Sequence, residues 1–266
     1  MDNRGIGVFD SGVGGLTVVK EIMNILPFEK IIYLGDTART PYGSKTKETI
    51  IRFSIQNTKF LLKKNVKIIV IACNTSSALA LPYLNKNFNL KLFGVIKAGA
   101  KAAVETTKNG KIGVIGTKAT INSSSYVKEI KKFDKNIRVY TKPTPLLVPL
   151  VEEGWLKRKE TEDILNYYLN DFKKVKIDTL VLGCTHYPLL TPLIKKILPG
   201  LNIINSAEKI ALEVKDFLEK NDMLCSKKSK TKSYFYVTDS PEPFNKIGRM
   251  FLKEKMINAK KIQIGE

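Results

Sequence analysis

Apolar residues along this chain collect in short, β-branched blocks: "GIGVFD", "KIIYLGD", "KIIVIAC", "KLFGVI", "KIGVIGT", "IRVYT", "DTLVLGC" and "LNIIN". Their hydrophobicity is continuous rather than alternating, which fits parallel strands covered on both faces. Between them, amphipathic stretches at 46–64, 98–108, 118–132, 160–174 and 206–221 carry helical spacing. Gly110 is expected to stop one helix, and Ser240 followed by Pro241 to cap and start another. Strand and helix alternate in the rhythm of βαβ units, so the expected fold class is α/β with mainly parallel sheets.

Two blocks occur twice in the same order. "IGVFDSG" at 6–12 is echoed by "IGVIGTK" at 112–118, and "IVIACNTSSALALP" at 69–82 by "LVLGCTHYPLLTPL" at 180–193. Matching offsets for two separate motifs point to two similar α/β domains, related by a pseudo-twofold and facing each other across a cleft. The expected division is 1–97 plus 207–266 for the first and 98–206 for the second. The final segment is too short for a third domain and is expected to pack back on the first.

In open parallel sheets, ligands sit at the carboxyl ends of the strands. Asp10, Asp36, Cys73, Thr117 and Cys184 all fall at such ends. A buried cysteine is ordinarily a small hydrophobe, and that is the reading for Cys225. Cys73 and Cys184 differ, because hydrogen-bonding pairs, Asn74–Thr75 and Thr185–His186, follow each of them and a helix start comes next. A helix N-terminus is expected to lower a thiol's pKa and favour the reactive thiolate. If the two halves face each other, the two sulfurs approach one cleft from opposite sides, which suits two bases acting on opposite faces of one carbon. His186 is a candidate acid/base partner for Cys184.

The glycines of "DSGVGGLTV" at 10–18 fail both the dinucleotide and the Walker spacing. They read instead as a tight strand-to-helix turn whose amides, with Ser11, hold a carboxylate. "GDTARTPYGSK" at 35–45 is a turn-rich connection whose Pro41-Tyr42-Gly43 stretch can present backbone N–H groups to an anion.

Composition narrows the classes. With 266 residues, 43% of them hydrophobic, the chain can bury a sizeable core. Three cysteines without a C-x-x-C pair argue against a disulfide framework or zinc ribbon, and a single histidine excludes a multi-histidine metal site. No metal is expected. The polar start "MDNRG" and the interrupted apolar runs lead to the expectation of a cytoplasmic protein with no membrane partner. The net charge of +20 would suit a polyanion. The lysines, however, spread over nearly every segment, and the densest run, "SKKSKTKS" at 226–233, reads as a solvated loop, so a nucleic-acid partner is not expected.

Taken together, "GVFDSGVGGLTV", "YLGDTARTPYG", "ACNTSSALAL", "GVIGTKATI", "PLLVPLVEEG" and "LVLGCTHYPLL" resemble the glutamate racemases, in family order and across essentially the whole chain. The resemblance implies a cofactor-independent racemase that interconverts the glutamate enantiomers and supplies D-glutamate for peptidoglycan. It implies Cys73 as the base working on the D-enantiomer and Cys184 as the one working on the L-enantiomer. Asp10 would assist the first and His186 the second, with Glu152 a further helper. Asp10, Ser11, Tyr42, Gly43, Asn74, Thr75, Thr185 and His186 match substrate-holding positions, and Thr117 and Thr120 weaker contacts. A homodimer is among the assemblies it allows. The chain departs from the family pattern at Lys97 and Ala98, where a glutamate and a proline are common.

The nearest rival is a related racemase acting on aspartate or another amino acid. A binding module driven by the basic charge is the rival from another class, and a thiol redox protein is disfavoured because the two cysteines belong to different halves.

Overall fold

The structure is a computed structural model describing residues 1–226, 232–252 and 258–265. Four strands lead: β1 (Gly5–Asp10), β2 (Ile31–Gly35), β3 (Val66–Ile71) and β4 (Leu92–Gly94). Four more follow: β5 (Lys111–Gly116), β6 (Arg138–Pro143), β7 (Thr179–Gly183) and β8 (Asn202–Ile204). The tail adds β9 (Tyr234–Val237) and β10 (Ala259–Lys261).

They form two sheets, in the orders β10-β9-β2-β1-β3-β4 and β6-β5-β7-β8. Every pairing is parallel. The run β2-β1-β3-β4 has the same topology as β6-β5-β7-β8, so β1 corresponds to β5 and β3 to β7. The repeated sequence blocks occupy equivalent strands, and the two thiols follow equivalent strand ends.

The strands form where they do because every residue of β1, β2, β3 and β7 is buried. Residues such as Ile68, Ile69, Val70 and Ile71, fully shielded from water, each contribute about 1.5–3 kcal/mol of apolar transfer. Helix Ser206–Lys220 returns from the second sheet and packs against helices Leu16–Ile25 and Val95–Thr106. The strands β9 and β10 then extend the first sheet beyond β2.

Local departures from the sequence reading have local causes. The helix read at 118–132 is two, Lys118–Asn122 and Ser125–Phe133, broken at Ser124 in a left-handed conformation (φ 55°). Ser123 competes for the backbone there: its Oγ donates to the Thr120 carbonyl at 2.6 Å and accepts from the Ser125 N–H at 3.1 Å. The helix read at 98–108 begins earlier, at Val95, because β4 stops at Gly94; it ends at Thr106, and Gly110 (φ 68°) lies in the turn beyond it. A helix does begin at Pro241. Of the lysine-rich run, residues 227–231 lie outside the described residues. No helix among the described residues is long and apolar enough to cross a membrane.

Candidate active site

Loops after equivalent strands converge on a cavity between the two sheets. Ser11 comes from the β1 turn; Cys73, Asn74 and Thr75 come from the β3 turn; Thr117 follows β5; and Cys184, Thr185 and His186 follow β7. Pro41, Tyr42 and Gly43 close the rim, joined by Thr40 and Val148, which the sequence did not single out. The enclosed space is about 20 Å³, room for roughly one water molecule.

Three candidates sit behind this surface. Asp10 is fully buried, where its carboxylate accepts from the Gly12 N–H at 3.0 Å and from Thr185 Oγ1 at 3.3 Å. The Gly12 amide is therefore held by the protein's own carboxylate, not offered to a ligand. Thr120 backs Thr117, their hydroxyls 3.0 Å apart, and both reach Thr75 Oγ1 across the cleft, at 3.1 and 2.9 Å. Glu152 Oε1 lies 2.8 Å from His186 Nε2. Asp36, although at a strand end, does not line the cavity. It binds Arg39, Thr238 and the Tyr42 phenol, which also accepts from Asn57, so Tyr42 turns its side chain away from the site.

The glycines of the first turn have a steric cause that spacing alone did not reveal. A Cβ on Gly14 would stand 2.4 Å from Thr185 Oγ1 and 2.6 Å from His186 Nδ1. One on Gly15 would stand 2.5 Å from Asp10 Cβ. One on Gly43 would meet Thr117 Cβ at 2.5 Å. At these glycines the turn backbone lies directly against neighbouring side chains, leaving no room for a methyl group.

The two sulfurs have unlike neighbours. Cys73 Sγ donates to Ser11 Oγ at 3.8 Å, and burial followed by the negative charge of Asp10 pushes its pKa up to about 12. The sequence reading expected a lowered value from the helix start. That helix, Asn74–Leu79, is six residues long, and desolvation outweighs its dipole. Burial likewise raises Asp10. Cys184 Sγ lies 3.7 Å from His186 Nδ1. Burial opposes charging His186, but its bonds to Cys184 and Glu152 prevail and raise it to about 10. At neutral pH the imidazole is therefore an imidazolium beside Cys184, while a carboxylate stands near Cys73.

Tyr126 and Ser206 were not anticipated, and no local signal marked them. The Tyr126 hydroxyl donates to Asn74 Oδ1 at 2.7 Å and lies 3.2 Å from Ser206 Oγ. Lys97 is exposed and Ala98 buried in the first turn of helix Val95–Thr106, and neither lines the cavity. Cys225 is partly exposed and donates to Asn3 Oδ1 at 3.2 Å. No cluster of three or more metal-ligating side chains occurs among the described residues.

Two parallel-sheet halves, each contributing a thiol turn to a shared cavity, define an α/β protein of the racemase class. The sequence model described as Asp/Glu/hydantoin racemase matches residues 6–213. A glutamate racemase of Persephonella marina is 50% identical over 242 residues, 91% of each chain. The solved glutamate racemase of Francisella tularensis, in complex with D-glutamate, superposes with a TM-score of 0.93 at 41% identity, covering 99% of both chains. A glutamate racemase isoform from Bacillus anthracis gives 0.95 at 38% identity, again over 99% of both. The chain belongs to the Asp/Glu/hydantoin racemase family and is an isomerase.

Proposed function

We propose that this enzyme interconverts L- and D-glutamate without a cofactor by a two-thiol proton transfer at the α-carbon, and that its product feeds peptidoglycan synthesis. The observation that carries the reading is that Cys73 and Cys184, each at the end of an equivalent strand, line the same cavity. Glutamate as substrate is supported by the relatives named above. Residues 1–97 with 207–266, and 98–206, are the two units that close on it.

The α-proton of an amino acid is far less acidic than a thiol, so the carbanion must be stabilised as it forms. Hydroxyl and amide donors from Ser11, Asn74, Thr75, Thr185 and the Tyr42–Gly43 backbone supply aimed dipoles to the two carboxylates in a site with little water. With L-glutamate, Cys184 as thiolate takes the α-proton, its charge balanced by the His186 imidazolium. Cys73, held as the thiol by burial and Asp10, gives its proton to the opposite face and is left as the thiolate. The reverse reaction exchanges the roles. Glu152 acts through His186, and Asp10 through the charge it places near Cys73. Because the enclosed space is about 20 Å³, glutamate enters by parting the two sets of turns, which separates the Thr75 hydroxyl from Thr117 and Thr120.

The test is optical rotation of each glutamate enantiomer, with both aspartate enantiomers as controls. Loss of rotation with glutamate alone, abolished in Cys73→Ala and in Cys184→Ala, is expected. Activity confined to aspartate would move the substrate, and cysteine variants as fast as wild type would overturn the mechanism.

A further inference from the structure

The substrate-facing turns are held in register by a residue that does not line the cavity. Tyr126 is buried (2% exposed) near the start of helix Ser125–Phe133. Its hydroxyl donates to Asn74 Oδ1 at 2.7 Å and, with its proton committed there, accepts from Ser206 Oγ at 3.2 Å. The ring fills the space beside two glycines. A Cβ on Gly183, the residue before Cys184, would come within 3.3 Å of Tyr126 Cε2, and one on Gly99 within 3.3 Å of Cε1. Ser206 needs the same clearance, since that Cβ on Gly99 would also lie 2.3 Å from its Oγ.

One phenol thus bonds to the turn after β3 and sets its ring beside Gly183, the last residue of β7, in the space a side chain there would need. The bond also decides which way the Asn74 amide faces. With Oδ1 occupied by Tyr126, the Nδ2 group is the end left over, and it finds no acceptor among the described residues although Asn74 lines the cavity. A carboxamide is nearly symmetric in shape, so without a fixed donor at Oδ1 it could turn its oxygen toward the cleft, where a substrate carboxylate would be repelled.

We propose that Tyr126 is a positioning residue: it fixes the Asn74 carboxamide with its N–H groups toward the substrate and sets the Cys73–Asn74 turn against the Gly183–Cys184 turn. This rests on the proposed racemisation of glutamate for its kinetic readout, but not for its structural one.

The experiment is a double-mutant cycle with Tyr126→Phe, which keeps the ring and its packing, and Asn74→Ala. Tyr126→Phe is expected to lower kcat/KM by about 10-fold through a raised KM for both enantiomers. Adding it to Asn74→Ala is expected to change nothing further, because its effect passes through that amide. Independent, multiplying losses would overturn the proposal, as would a Tyr126→Phe enzyme with wild-type kinetics. The second readout is NMR of the side-chain amide signals that disappear in Asn74→Ala. One sharp pair is expected in wild type, and a broadened or doubled pair in Tyr126→Phe; identical signals would refute the orientation. If wild type leaves glutamate untouched, the substrate reading fails, and these signals still decide the role of Tyr126.

Discussion

Lys67 carries a charge where the fold has almost no water, and removing it should cost more than any surface ion pair. Its ammonium is 2.7 Å from Glu29 Oε2 and donates to the carbonyls of Asp2 at 2.9 Å and Met223 at 2.6 Å. Two of its donors are hydrogen-bonded, the contact with Glu29 Oε2 is an ion pair without hydrogen-bond geometry, and both side chains are shielded, Lys67 being 1% and Glu29 5% exposed. Glu29 Oε1 also accepts from the Cys225 N–H at 2.8 Å, so the pair ties β3 to the N-terminus, the loop before β2 and the segment after helix Ser206–Lys220. Lys67→Met preserves much of the volume but leaves a buried carboxylate with a single hydrogen bond. Breaking a buried pair from one side costs about 3–5 kcal/mol. For a chain of this size each kcal/mol moves the midpoint by about 2–4 °C, so thermal unfolding followed by circular dichroism should shift down by roughly 6–20 °C. Lys67→Met combined with Glu29→Gln removes the orphan charge while keeping the acceptor for Cys225, and should recover most of the loss. Lys67 lies at the amino end of β3 and Cys73 beyond its carboxyl end, roughly 20 Å away at about 3.3 Å per residue, so activity at 20 °C should be preserved in both variants. A Lys67→Met protein that loses less than about 1 kcal/mol, or a double variant no better than the single one, would refute this account of the pair.

Two further outcomes follow from the site. His186 is the only histidine, so its ring signal is unambiguous by NMR; it should titrate near pH 10 in wild type and lower in Glu152→Gln, which weakens one of its two acceptors. Its folded value lies above the unfolded one of about 6.5, so the stability it contributes is complete below that pH and is lost as pH rises through about 10. A midpoint near 6.5 in the folded protein would contradict the imidazolium assignment. Gly14→Ala forces a methyl group to within 2.4 Å of Thr185 Oγ1 and should displace the Thr185–His186 turn. Racemisation should drop by about 100-fold or more, since ångström-scale misplacement is that costly. Overpacking should lower stability by about 1–3 kcal/mol, and near-normal activity would mean the turns are not in the contact described.

What could be read from the sequence depended on how local the cause was. Strands β1, β2, β3, β5 and β7 were legible because buried parallel strands write themselves as unbroken apolar runs, and the edge strands β4, β6 and β8, shorter or partly exposed, because they keep their place in the βαβ alternation. Strand β9 was not among the expected ones although its "YFYV" carries the aromatic and β-branched signature of a strand; β10 could not be, since "AKK" has no such signature and its place is set by an available sheet edge. Helices such as Asn74–Leu79 are shorter than two turns and cannot display a 3.6-residue period. The thiol turns were legible as strand ends in a repeated motif, whereas their partners were not, because Tyr126 meets Asn74 from 52 residues away.

The electrostatics were the least legible part, and they bear most directly on the chemistry. The sequence offered His186 as a partner for Cys184, and the resemblance offered Asp10 for Cys73, but neither said how the two sulfurs differ in charge surroundings. The fold adds that difference, setting the Asp10 charge against Cys73 and raising the imidazole beside Cys184 to about 10. A symmetric pair of thiols would have no reason to begin a cycle with one protonated and the other not. Unlike neighbours supply that reason, because burial and a negative charge near Cys73 favour its thiol form, while the raised imidazole stands beside the other sulfur. In the proposed mechanism the two sulfurs act on opposite faces of the α-carbon, and the departures from the pseudo-twofold, Asp10 on one side and His186 with Glu152 on the other, favour the state that starts from L-glutamate, with Cys184 as base and Cys73 as acid, over the exchanged state that D-glutamate requires.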